Sequence, residues 1–320
     1  MGKRKVVAGI DIGGTNSVFG LVDEKGNCLI KNQVSTEPQQ GASSLFSKIF
    51  SKIDELVENY EEDLELIGIG VGAPNANFYN GTIENPVNLG WGIVNVKNLI
   101  TDHFKLPGAI TNDANAAALG EMEFGIAKGM KDFIEITLGT GLGSGIIVNG
   151  ELVYGHDGFA GELGHLTVVD NGRKCGCGRA GCLENYVSAT GIKRTALKMM
   201  AKLTIQSSLR NITPANLTSK DVYDAAMKGD ELAKECFAYT AGFLGKALAN
   251  AAAIFSPEAY IFTGGLSLAG DMLFQPTKSV MEASILPVFR DKIKLLSSGL
   301  DVGDAAILGS AALIWHEKRQ

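Results

Sequence analysis

Residues 6–31 and 133–154 of this 320-residue chain repeat one pattern, and that repeat restricts the fold more than any other feature. In the first copy a strand at 6–12 meets the turn Gly13-Gly14-Thr15-Asn16, a second strand at 17–22, the polar turn Asp23-Glu24-Lys25-Gly26 and a third strand at 28–31. In the second, strands at 133–138, 144–148 and 151–154 are separated by Gly139-Thr140-Gly141-Leu142-Gly143 and Asn149-Gly150. Each copy is a β-meander whose first turn carries almost no side-chain bulk. Two such units predict duplicated domains that face each other, each offering a glycine-rich hairpin to what lies between.

Helices and buried strands follow each meander. Residues 43–60 set Leu45, Phe46, Ile49, Ile53, Leu56, Val57 and Tyr60 on one helical face, and 64–71 is a short apolar strand. A strand at 108–111 ends in Asn112-Asp113, directly before an alanine-rich helix at 114–124. Further on, Thr218 or Ser219 caps a short helix, Asp230 caps a long one reaching about Phe255, and a strand at 258–263 runs into Gly264-Gly265. A capped helix at 304–316 is expected to pack back on the first domain. The chain therefore reads as α/β in two domains, 1–112 with 304–320 and 113–303, since its length exceeds what one core usually serves.

A net charge of −6 argues against a nucleic-acid binder, which needs a basic face. Asp11 interrupts the first apolar run too early for a signal peptide, and the apolar stretch 247–255 is too short to span a membrane. A cytoplasmic protein is expected.

Three of the five cysteines and one of the four histidines fall between 165 and 182, as His165, Cys175, Cys177 and Cys182. One imidazole and three thiolates complete a tetrahedral zinc shell, and the short spacing favours a compact knuckle over a nucleic-acid-reading finger. A pair of disulfides fits less well, because Cys175 and Cys177 are too close in sequence to bridge easily. The glycines also contain decoys. Gly176, Gly178 and Gly181 match the dinucleotide fingerprint but lie inside the knuckle with no strand before them. No Walker-type loop occurs. The turns at 13–16 and 139–141 remain, and their backbone N–H groups and threonine hydroxyls suit phosphate oxygens.

Asp11-Ile-Gly-Gly-Thr-Asn16, Leu138-Gly-Thr-Gly-Leu-Gly143, Gly161-Glu-Leu-Gly-His165 and Cys175-Gly-Cys-Gly-Arg-Ala-Gly-Cys-Leu-Glu184, in that order, resemble the ROK family of bacterial sugar kinases and repressors, its glucokinases especially. The resemblance runs from residue 6 to 315. It implies an actin-like (ribonuclease H-like) two-domain ATPase fold, phosphoryl transfer from ATP to a hexose, magnesium, a structural zinc and a homodimer.

Such chemistry needs a base for the sugar hydroxyl, and Asp113, where a buried strand meets a helix, is the candidate. As a plain helix cap it would be unremarked; both roles are compatible. Asn112 stands beside it for a neighbouring hydroxyl, and Glu162 and Glu184 match the family's sugar-binding glutamates. His165 is expected to give one nitrogen to zinc and the other to the sugar. The resemblance implies that Asp11 holds magnesium, that Gly13, Gly14, Thr15, Asn16, Gly139, Thr140 and Gly141 bind phosphate, and that Gly264 and Gly265 take adenosine. The chain departs from the family loop Gly-x-Pro-Gly at Gly72-Ala73-Pro74-Asn75, and an added Asn-Pro follows at 85–86. Glucose heads the candidate sugars, with N-acetylmannosamine, N-acetylglucosamine, fructose and allose beside it. A sugar-sensing repressor is disfavoured, because only five residues precede the first strand.

Overall fold

The computed structural model describes residues 3–319. Two five-stranded sheets share one topology. In the first, β1 (Arg4–Ile12), β2 (Asn16–Asp23) and β3 (Cys28–Ser35) form the antiparallel meander, and β4 (Leu64–Gly72) and β8 (Gly108–Thr111) extend it in parallel, giving the order β3-β2-β1-β4-β8. In the second, β9 (Phe133–Leu138), β10 (Leu142–Val148) and β11 (Glu151–Leu152) are antiparallel, while β12 (Ala259–Thr263) and β13 (Lys294–Ser297) add in parallel on the other side, order β11-β10-β9-β12-β13. The duplication seen in the turns thus extends to the strand order.

Strand alternation sorts the core into layers. Val6, Ala8, Ile10 and Ile12 of β1 pack with Leu45, Phe46, Ile49 and Ile53 of helix α1 (Ala42–Glu58) and with Ile100 of α2 (Val96–Phe104). Ile134, Ile136 and Leu138 of β9 pack outward against α4 (Ala189–Lys202), α5 (Ser219–Met227), α6 (Glu231–Phe255) and α7 (Asp271–Ser284). Between the sheets lie α3 (Asp113–Glu123) and α8 (Ala305–Arg319), joined in one buried cluster with Val7 and Val22 from the first sheet and Phe133, Ile147 and Ile261 from the second. The expectation that the last helix returns to the first sheet agrees with this packing.

Most elements begin and end where the sequence puts them, with instructive exceptions. Thr218 forms a full capping box with Asp221, and Asp230 accepts from the Ala233 N–H at 3.1 Å. Asp304 stands directly before the last helix, its carbonyl accepting from the Leu308 N–H at 2.9 Å and its carboxylate taking the Lys31 ammonium of β3 at 2.6 Å, and the helix runs three residues past His316 to Arg319. The third strand of the second meander shrinks to two residues. A small sheet of β5 (Ala76–Asn77), β6 (Thr82–Glu84) and β7 (Ile93–Asn95) occupies the Asn/Gly/Tyr-rich run that has no strand pattern. No helix among the described residues is long and apolar enough to cross a membrane.

The α8 contact with the first sheet depends on Gly70 of β4. A Cβ built there would lie 1.8 Å from the Ser310 carbonyl oxygen, so helix and sheet touch backbone to backbone. Gly70→Ala must push α8 away, and overpacking of this kind costs about 1–3 kcal/mol. Urea unfolding measures it; unchanged stability would show that the helix does not seat this closely.

Candidate active site

Asp11, Gly72 and Thr111 stand in register at the carboxyl ends of three adjacent parallel strands. Thr137 and Thr263 do the same at the ends of β9 and β12. Ligands collect beyond such ends, and here both sets open on one cleft. Its cavity, of about 940 Å3, is lined by Asp11, Asn112, Asp113, Gly139–Gly141, Glu162, His165, Glu184 and Gly264–Gly265 among others. A recess of about 270 Å3 continues from it, walled by Asn75, Asn112, Asn115, Gly158–Ala160, Glu162 and His165.

Asp113 opens α3 and lines the main cavity, directly after Asn112, which lines both recess and cavity. Asn112 is the helix cap, its Oδ1 accepting from the Ala114 N–H at 2.9 Å, and Asp113 Oδ1 accepts from the same N–H at 2.9 Å. The local sequence thus fixes the carboxylate against the helix end, where the backbone dipole is positive. Asp113 reaches cleft solvent, yet protein crowds it on most sides. That crowding raises its carboxyl above the usual range, against the opposing pull of the backbone N–H groups. Burial and then the nearby Asp113 charge lift Asp11 to about 7. Glu162 is raised by desolvation in the recess and by Asp113 and Glu184, while His165 opposes the rise. Four expected site carboxylates therefore share one cleft, and no Lys or Arg is among the described residues lining it.

The knuckle forms one wall. His165 Nδ1 lies 3.8 Å from Cys175 Sγ, and Cys177 Sγ lies 3.7 Å from Cys182 Sγ. All four donor atoms fall within 4.8 Å of one another. A tetrahedron with zinc–sulfur arms of about 2.3 Å has edges of about 3.8 Å, so these spacings fit a zinc ion and are far too long for a disulfide. Burial and the neighbouring thiols push the Cys182 thiol up to about 12, a repulsion that a divalent cation reverses. With Nδ1 turned to the sulfurs, Nε2 faces the recess, 3.8 Å from Glu162 Oε2.

Glu184 links the knuckle to the second hairpin. Its Oε2 accepts from the Leu142 N–H at 3.1 Å and lies where a Cβ on Gly141 would be, 2.3 Å away. Gly141 is therefore required for closeness of approach as well as for the turn. The first hairpin behaves differently. Gly13, Gly14, Thr15 and Asn16 are not among the residues lining the cavity. They stand at its mouth, with Gly14 near Asn88, which does line it.

Several lining residues carry no sequence signal. Asn75, at the departure from the family loop, holds a left-handed backbone with φ 54°, a conformation that glycine adopts freely and asparagine better than most. Its Nδ2 donates to the Glu84 carbonyl at 3.2 Å, so the replacement keeps the turn and ties it to the 84–85 loop. Gly158–Ala160 reach the recess because buried Asn77 donates to the Asp157 carbonyl at 2.9 Å and Tyr79 to that of Gly155 at 2.9 Å. The exposed apolar chains of Leu268 and Val302 line the same cavity as Gly264–Gly265.

The sequence profile of the ROK family matches residues 7–317. A glucokinase of Halalkalibacterium halodurans is 38% identical over 314 residues, covering 97% of this chain and 95% of its own. A glucokinase of Thermotoga maritima is 35% identical over 318 residues, covering 98% of each. The crystal structure of a ROK family glucokinase from Streptomyces griseus with glucose and AMPPNP superimposes with a TM-score of 0.80 at 33% identity, over 96% of this chain and 98% of that one. The actin-like two-domain architecture is thus that of known ROK sugar kinases, and this chain belongs to the ROK family.

Proposed function

We propose that the protein is an ATP-dependent sugar kinase that moves the γ-phosphoryl group of ATP to the 6-hydroxyl of a hexose, glucose first, with Asp113 as general base. The position of Asp113 carries this reading: it lines the main cavity together with the turns at 139–141 and 264–265, and it directly follows Asn112, which lines both that cavity and the recess. A carboxyl held above its usual range is the better base near neutrality. Asp113 takes the hydroxyl proton as the oxygen attacks the γ-phosphorus and the bond to the ADP oxygen breaks. Asn112, Glu162, Glu184 and His165 Nε2 hold the remaining hydroxyls, and the carboxylates accept from vicinal pairs.

Gly13, Gly14, Thr15, Asn16, Gly139, Thr140 and Gly141 hold phosphate oxygens, the first four by closing from the cavity mouth. Gly264 and Gly265 leave room for the purine, with Leu268 and Val302 against its faces. Asp11 would carry magnesium through water, and with no lysine or arginine among the described residues lining the cleft that ion would supply the positive charge the triphosphate needs. His165, Cys175, Cys177 and Cys182 hold a structural zinc, which fixes the histidine ring for the sugar. The two functional domains are 1–112 with 304–320 and 113–303, and the protein works as a homodimer. ADP release across glucose, N-acetylmannosamine, N-acetylglucosamine, fructose and allose tests the assignment. Glucose is expected to give the highest kcat/KM; no sugar-dependent ADP release with any of them would refute the kinase reading.

A further inference from the structure

Glu135 lies in the middle of β9, wholly buried, four residues before the turn that begins at Gly139. Phe133, Glu135 and Thr137 point to the inner layer, while Ile134, Ile136 and Leu138 point to the outer core. Thr137 sits two residues before Gly139, and its register partner Thr263 directly precedes Gly264. Both threonines line the cavity. The side chains form a triangle of oxygens: Thr137 Oγ1 lies 2.9 Å and Thr263 Oγ1 2.6 Å from Glu135 Oε1, and the two hydroxyls are 3.0 Å apart.

The protons must be counted. If Glu135 is ionised, two hydroxyl protons serve three oxygen–oxygen contacts, and one contact is a bare repulsion. If Oε1 carries a proton, it donates to Thr263, Thr263 donates to Thr137, and Thr137 donates back to Oε1. Every contact then has its proton. Oε2 is buried with no partner, a state far less costly for a neutral carbonyl oxygen than for half of a carboxylate. The surroundings point the same way. Opposite Glu135 stand Gly145 on β10 and Ile261 on β12, neither with charge, and the charged groups acting on it are Glu121 and Asp113 of α3, both acidic.

We propose that Glu135 is a positioning residue for nucleotide binding that works as a neutral carboxylic acid. Its proton closes the oxygen triangle, ties the turns at 139–141 and 264–265 to each other, and keeps a further negative charge from beneath the triphosphate. The role rests on the kinase reading above. Burial raises this carboxyl to about 8, with the two acidic neighbours adding to the rise and the threonine bonds opposing it. Because the shift is upward, the neutral form holds below about pH 8 and is lost above it.

Binding of MgADP, measured by calorimetry from pH 7 to 9.5, tests the proposal. Wild-type affinity is expected to fall about tenfold through the alkaline range, consistent with one added charge close to the phosphates. Glu135→Gln, neutral at every pH and able to donate, is expected to bind MgADP as the wild type does at pH 7 and to lack the alkaline fall. Glucose affinity should change by less than about twofold, since the recess is elsewhere. A carboxylic-acid carbonyl band in the infrared difference between wild type and Glu135→Gln at pH 7 reads the proton directly. Thr137→Val, which removes one donor to the ionised form, should move the alkaline fall to higher pH. A flat wild-type profile, a missing band, or the same alkaline fall in Glu135→Gln would overturn the role of Glu135. Failure of MgADP to bind at any pH would instead remove the kinase reading on which that role rests.

Discussion

Asp113→Asn is expected to lower kcat by about 100- to 10,000-fold, the usual worth of a positioned general base, while leaving the sugar KM within a few-fold of wild type. Asparagine has nearly the same shape and keeps an oxygen for the Ala114 N–H, and Asn112 still caps α3 at 2.9 Å. What disappears is a proton acceptor. Folding should not suffer, because a raised carboxyl is one whose charged form the fold disfavours. The direction of the shift also fixes the pH profile: kcat falls on the acid side as Asp113 protonates, with a midpoint above the ordinary value of about 3.9. Steady-state kinetics and a thermal melt separate the outcomes. Full activity in Asp113→Asn would remove Asp113 as the base, and lost activity with lost folding would point to capping alone.

The parts of this site that were legible in the sequence are those whose signal is local. Gly139-Thr140-Gly141 is a tight turn between two alternating strands, and Asn112-Asp113 is a strand end followed by a helix cap; both are written in neighbouring residues. His165, Cys175, Cys177 and Cys182 share a short span and a common chemistry. Glu135 was hidden for a physical reason. In Phe133-Ile134-Glu135-Ile136-Thr137 the polar residues alternate with apolar ones, which reads as a strand with a solvated face. That face is covered by α3, an element that joins it only in three dimensions. The small sheet at 76–95 was hidden similarly, since its place is set by Asn77 and Tyr79 bonding to carbonyls at 155 and 157. The partner of the Asp304 carboxylate was hidden too, because Lys31 is 273 residues away in sequence.

Removing the zinc is expected to abolish sugar binding while leaving nucleotide binding nearly intact, and the asymmetry follows from what the knuckle touches. Cys182 is fully buried and pairs with Thr167 across an isolated bridge, the Leu183 N–H donates to the Leu166 carbonyl at 2.9 Å, and Glu184 comes directly after. Losing the ion leaves three thiols and an imidazole within 4.8 Å with nothing to hold them. The segment that aims His165 Nε2 and Glu184 into the cleft then loosens. Gly264–Gly265 and the triangle beneath them belong to β9 and β12, and the knuckle ties to the nucleotide side through the bond from the Leu142 N–H to Glu184, while the strands themselves are held by their own ladder. Cys182→Ser should therefore contain little zinc, against about one per chain in the wild type, and raise the glucose KM at least about tenfold. MgADP affinity should stay within about twofold. Cys177→Ser, at the exposed edge of the cluster, should show the same pattern more mildly and guards against a simple failure to fold. Elemental analysis, glucose kinetics and MgADP calorimetry on the same samples decide it. A metal-free wild type would refute the zinc site, and equal loss of sugar and nucleotide binding would mean that the knuckle supports the whole fold instead of one wall of the sugar recess.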